Sequence, residues 1–105
     1  YNKLFKKNLE FPKQVKDLSC SFWLVVIFLK TEKLKNKVVK FLKKKNIETR
    51  PTFYPIHTMP MYKSSTNYKN AMKLSKLGIC LPSYPNLKKS EIIKICNYIN
   101  NIIKK

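Results

Sequence analysis

Sixteen residues, IETRPTFYPIHTMPMY at positions 47–62, contain the only arginine, Arg50, the only histidine, His57, and three of the six prolines. Arg50 offers a planar cation whose fork matches carboxylate or phosphate oxygens. His57, Tyr54 and Tyr62 add polar, ring-bearing tips. Pro51, Pro55 and Pro60 restrict φ and lower the entropy cost of holding such a loop in place. A stiff loop with these tips suits the binding of a polar ligand. The same stretch also carries Phe53, Met59 and Met61, so packing against a partner surface is the competing use.

Other chemistries have little support. The acidic residues are Glu10, Asp17, Glu32, Glu48 and Glu91, and they form no carboxylate dyad. One glycine, Gly78, excludes a glycine-rich phosphate cradle. Cys20, Cys80 and Cys96 are odd in number, lack a CxxC pair and stand in apolar surroundings. They are expected to be buried thiols, with neither a disulfide framework nor a metal site.

The loop must be positioned by the rest of a 105-residue chain, which fits one domain. A hydrophobic share of 44% is enough for a core. No run reaches the ~20 apolar residues of a membrane helix, and the opening residues do not read as a signal peptide. The formal net charge is +18, yet 22 of the 23 basic residues are lysine. Base and phosphate recognition favours arginine, so the lysines are expected to fill solvated faces without specific nucleic-acid binding. The opening YNKLFKKNLEF reads as the tail of a helix that starts elsewhere, in a chain cut from a longer protein.

The spacing of apolar residues predicts the elements. SFWLVVIFL (21–29) is a strand, apolar on both faces and therefore central. Thr31 caps a helix whose inner face is Leu34, Val38, Phe41 and Leu42, and Asn46 ends it in the left-handed region. A short strand covers 47–50 and stops at Pro51. Asn67 caps a second helix to Leu77, with Ala71 and Leu74 inward. Gly78 ends it with a positive φ. A strand at 79–82 ends at Pro82. A final helix presents Ile92, Ile95, Cys96, Ile99, Ile102 and Ile103 on one face. The expected fold class is α/β (α+β): a small sheet of about three strands covered by helices.

The order FWLVVIFL, NIETRPTFYPIHTMPMY, AMKLSKLGICLPSYPNL and an amphipathic end helix resembles the C-terminal part of the DegT/DnrJ/StrS family. These are pyridoxal-phosphate-dependent sugar aminotransferases, and the ETRPxFYPxHxxPxY form is most similar to the perosamine-synthetase branch. The resemblance runs from about Ser21 onward. It implies the end of an interdomain helix and connector at 1–20, a small C-terminal domain at 21–105, and a large cofactor-binding domain that this chain lacks. It also implies that the loop folds over the cofactor cleft of that large domain. His57 and Tyr54 would face the sugar or its phosphates, and Arg50 an anionic group or the strand end. Gly78, Pro82 and Ser83 would be architectural.

Further implications are pyridoxal 5'-phosphate in the longer enzyme, an amino donor such as glutamate, a 4-keto-6-deoxy sugar nucleotide as substrate, and a cytoplasmic homodimer serving surface-polysaccharide synthesis. Relatives that carry out dehydration on the same cofactor fit the same motifs. No lysine here matches the Schiff-base motif, so none is assigned as catalytic, and the chain alone is expected to be inactive. Lys88 replaces the serine or threonine that usually caps the last helix, shifting its expected start to Ser90. A stand-alone basic module that binds a protein or polyanion is the alternative.

Overall fold

The computed structural model describes residues 1–5, 9–13 and 15–104. Three strands, β1 (Val25–Phe28), β2 (Arg50–Pro51) and β3 (Gly78–Leu81), form an antiparallel sheet in the order β1-β3-β2. Three helices, α1 (Glu32–Lys44), α2 (Lys69–Leu77) and α3 (Lys89–Ile103), complete the α+β fold. The central strand is β3, whose four residues are all buried. β1 is an edge strand, contrary to the expectation from its longer apolar run. The run is broken at Phe22, whose φ of 49° turns the backbone out of the strand, and Phe22 and Trp23 remain exposed. Glu10 covers the outer edge of β1: Phe28 N–H donates to Glu10 O at 2.9 Å.

The core contains Ile27 of β1, Leu29, Val38 and Leu42 of α1, Ile79 and Leu81 of β3, and Ile95, Ile99 and Ile102 of α3. Each such side chain contributes about 1.5–3 kcal/mol through burial. The helical periodicities of α1 and α3 therefore place the layer as expected. Thr31 caps α1, its Oγ1 accepting from Leu34 N–H at 3.2 Å. Asn46, at φ 57°, turns the chain left-handed after the helix. α3 begins at Lys89, one residue before the expected Ser90. Lysine has no acceptor for a cap, and the Glu91 carboxylate instead accepts from Lys88 N–H at 2.9 Å.

Four expectations change. α2 begins at Lys69 after Tyr68 with no side-chain cap, and its sheltered residues are Met72, Ser75 and Leu77, while Ala71 and Leu74 are exposed. Gly78 has φ −85°, so its glycine answers crowding and not a left-handed turn. β2 is shorter and later than 47–50, and Pro51 takes part in it, because proline lacks only the N–H and an edge strand tolerates that. The opening segment shows a single 3-10 turn, Asn2–Leu4, followed by extended Phe5. Lys6, Lys7 and Asn8 of the stretch read as a helix tail lie outside the described residues.

This segment is tied to the far end of the chain. Tyr1 Oη donates to Pro82 O at 2.8 Å, and Asn100 Nδ2 to Leu4 O at 3.0 Å. Tyr1, Phe5, Leu9 and Phe11 pack against the core.

Candidate functional site

The register aligns Val26, Cys80 and Arg50 across the three strands, since Cys80 pairs with both Val26 and Arg50. At this end of the sheet lies a hollow of about 720 Å³, whose lining includes Trp23, Arg50, Cys80, Ser83, Tyr84 and Lys94. Ser83 Oγ donates to Trp23 O at 2.9 Å, which holds the turn after β3 against the approach to β1. Periodicity gave no sign of this hollow, because its walls come from residues 60 positions apart that only the antiparallel register brings together.

Arg50 Nε lies 3.3 Å from Glu48 Oε1, the only ion pair among the described residues. Both side chains are 77% exposed, so the pair holds Arg50 weakly and leaves it free to meet a ligand. Lys45 and Lys94 border the same hollow and rest over aromatic rings. Lys45 Nζ is 5.8 Å from the Phe41 and Tyr98 ring centres, and Lys94 Nζ is 6.0 Å from that of Tyr98. Three cations thus face two carboxylates, Glu48 and Glu91, and each carboxylate already accepts a hydrogen bond. The balance favours an anionic ligand. Burial pushes the Cys80 thiol above its ordinary pKa, while the nearby Arg50 guanidinium acts in the opposite direction. Cys80 is thus a neutral part of the floor.

Tyr54 and His57 do not line this hollow. They stand on the loop beyond β2, which is built from two 3-10 turns, Ile56–Thr58 and Pro60–Tyr62. The Pro55 carbonyl accepts from Thr58 Oγ1 at 2.7 Å and from Thr58 N–H at 2.9 Å, which shapes the first turn. Tyr54 is 68% exposed. His57 is half-buried, its ring centre 4.7 Å from that of Tyr68, and its carbonyl accepts from Ser64 N–H at 3.3 Å. The loop therefore folds back on the start of α2. The Phe53 ring lies 6.3 Å from that of Trp23, joining the root of the loop to the hollow. Arg50 and the pair Tyr54 and His57 accordingly occupy neighbouring surfaces and not one pocket.

Burial of the cysteines was expected for all three, and Cys80 and Cys96 are buried. Cys20 is exposed, because it stands on the connector before the sheet. No group of three or more histidine, cysteine or acidic residues among the described residues fits a metal ion. No helix among them is long and apolar enough to cross a membrane.

A pyridine cofactor bearing a phosphate needs a lysine poised for covalent attachment, a carboxylate for the ring nitrogen and donors around the phosphate. Among the described residues no lysine is buried, all five carboxylates are exposed, and the one glycine lies in β3. These residues do not by themselves fit that group.

Residues 1–100 match the DegT/DnrJ/EryC1/StrS aminotransferase family. The chain is 40% identical over 104 residues to GDP-perosamine synthase of Escherichia coli O157:H7, covering 92% of this chain and 28% of that protein. It is also 40% identical over 86 residues to GDP-perosamine synthase of Vibrio cholerae, covering 77% of this chain and 23% of that protein. The chain thus spans less than a third of the length of these relatives. Among solved structures, a DegT DnrJ EryC1 StrS aminotransferase from Brucella abortus superposes with a TM-score of 0.84 at 17% identity, covering 99% of this chain and 28% of that one.

Proposed function

This chain belongs to the DegT/DnrJ/EryC1/StrS aminotransferase family, and on that footing we propose that it is the C-terminal small domain of a pyridoxal-phosphate-dependent enzyme. The enzyme transfers an amino group, from a donor such as glutamate, to a nucleotide-linked 4-keto-6-deoxy sugar for surface-polysaccharide synthesis. The observation that carries the substrate class is the 40% identity to two GDP-perosamine synthases, over 92% and 77% of this chain.

In this reading the cofactor supplies the amino-group chemistry from a large domain upstream, since the residues here do not fit it. The small domain binds and orients. Arg50 meets an anionic group of the substrate, with Lys45 and Lys94 raising the local positive potential. Tyr54 and His57 donate hydrogen bonds to sugar hydroxyls or the diphosphate. The proline-stiffened loop limits water over the reacting sugar carbon. A cytoplasmic homodimer supplies the partner surfaces that the exposed aromatics require.

The test is an amination assay with glutamate and a GDP-linked 4-keto-6-deoxy sugar, on the polypeptide extended upstream of Tyr1 and loaded with the cofactor. Formation of the 4-amino sugar is expected. Cofactor loading without amination of that sugar overturns the substrate class. A polypeptide whose only measurable partner is a polyanion points instead to the basic-module alternative.

A further inference from the structure

The first residue after β2 is Thr52, half-buried beside the only glycine. A Cβ built on Gly78 would collide with the Thr52 methyl and come within 3.0 Å of both Leu74 O and Phe28 Cε1. Since Gly78 has an ordinary extended φ of −85°, the missing side chain provides space alone. The Thr52 methyl occupies that space. On the same Cβ, Thr52 Oγ1 donates to Ser75 O in the last turn of α2 at 3.2 Å. One side chain is therefore held at two points, on β3 and on α2.

We propose that Thr52 is the positioning residue of the loop, and that the Gly78 notch is the socket that receives it. Two anchors on one β-branched carbon fix its χ1, and with it the direction in which the backbone leaves β2. Phe53 follows at once, its ring tilted by 37° against that of Trp23, and Tyr54 and His57 follow within one further turn. Serine keeps the hydroxyl without the methyl, and valine keeps the methyl without the donor. Only threonine makes both contacts. That this direction matters to a substrate rests on the function proposed above, whereas the socket itself does not.

The experiment reads the Trp23–Phe53 ring contact by nuclear Overhauser effects in this chain, where Trp23 is the only tryptophan. Gly78→Ala is expected to abolish that contact while the Val25–Leu81 and Val26–Cys80 cross-strand contacts of β1 and β3 persist. Adding Thr52→Ser removes the colliding methyl and is expected to restore the ring contact. Thr52→Val is expected to retain it and to speed amide exchange across residues 53–58 several-fold. An unchanged ring contact in Gly78→Ala, or unchanged exchange in Thr52→Val, overturns the proposal. So does a double variant that keeps the β1–β3 cross-strand contacts but lacks the ring contact, since the methyl is then not what the notch accommodates.

In the catalytically competent extended polypeptide, Gly78→Ala is expected to raise KM more than it lowers kcat, with Thr52→Ser reversing the change. If the ring contact is lost and regained while KM stays constant, the socket stands and the substrate-facing role of the loop falls.

Discussion

The imidazole of His57 packs on the ring of Tyr68, with centres 4.7 Å apart and planes inclined by 51°. The histidine proposed to meet substrate is thus also part of what folds the loop onto α2. His57→Ala should lower stability by about 0.5–1.5 kcal/mol, the worth of an aromatic pair. It should lower kcat/KM of the extended enzyme ten- to hundredfold, as expected for a lost charge-assisted hydrogen bond worth about 1.5–3 kcal/mol. His57→Phe separates the two roles, because it keeps the ring contact and should recover the melting temperature without recovering turnover. Paired melts and steady-state assays check this. Full recovery of turnover by phenylalanine would make His57 purely structural.

Pyridoxal phosphate added to the 105-residue chain should produce no saturable visible absorbance, only the slow, unsaturable reaction of exposed lysines. A stoichiometric band at one lysine, located by borohydride reduction and peptide mapping, would refute this.

Tyr1 should make the chain sensitive to alkali. Burial chiefly, then the neighbouring Cys96, Tyr84 and Glu91, pushes its phenol well above the ordinary tyrosine range. The native state therefore keeps this proton where the unfolded state loses it. The stabilising contribution is complete below the unfolded pKa of about 10 and declines as pH rises from there towards the native value. Tyr1→Phe also removes the hydrogen bond to Pro82 O. It should cost about 1 kcal/mol at pH 7 and flatten the loss of stability above pH ~10, measured by urea titrations at several pH values. An unchanged slope would show that Tyr1 does not control it.

Thiol labelling should find one fast cysteine in the native chain and three after unfolding. Cys20 is exposed, whereas Cys80 and Cys96 are buried, and burial raises the pKa of each and suppresses the thiolate. Rapid native labelling of two or more would contradict the packing of β3 or α3.

Association should rise with salt. Trp23, Phe53, Tyr54 and Met61 are 73%, 73%, 68% and 81% exposed, and they leave an apolar surface that favours a partner. A charge of +18 opposes contact between copies until it is screened, at a Debye length of ~10 Å in 0.1 M salt. Light scattering should show mostly monomer in low salt and larger species above it. A strict monomer at high concentration in both conditions would count against this.

The helix layer was legible in the sequence because each element carries its own signal. Leu34, Val38 and Leu42 repeat at helical spacing, Thr31 and Asn46 mark both ends of α1, and Ile95, Ile99 and Ile102 of α3 share one face. Relations between elements were not legible. FWLVVIFL is the most apolar run, yet GICL takes the central position, because strand order depends on which chain returns between the other two. Gly78 was recognised as special for the wrong reason, since its neighbour Thr52 lies 26 positions away and no local pattern records that contact. Arg50, Tyr54 and His57 read as one cluster along the chain, but β2 turns the first towards the hollow and the 3-10 turns carry the others past it.

The bond from Asn100 to Leu4 crosses 96 positions. On a ribosome adding about 5–20 residues per second, the segment around Leu4 emerges roughly 5–20 s before its anchor on α3 is made. For most of that interval, until Pro82 is made, the Tyr1–Pro82 bond is also unavailable, and any pairing of Glu10 with Phe28 lacks the buttress that later supports it. The nascent chain thus carries Phe5, Phe11 and the β1 edge without their final cover for seconds. Slowing elongation late in the message should therefore lower the folding yield without changing the stability of the finished protein.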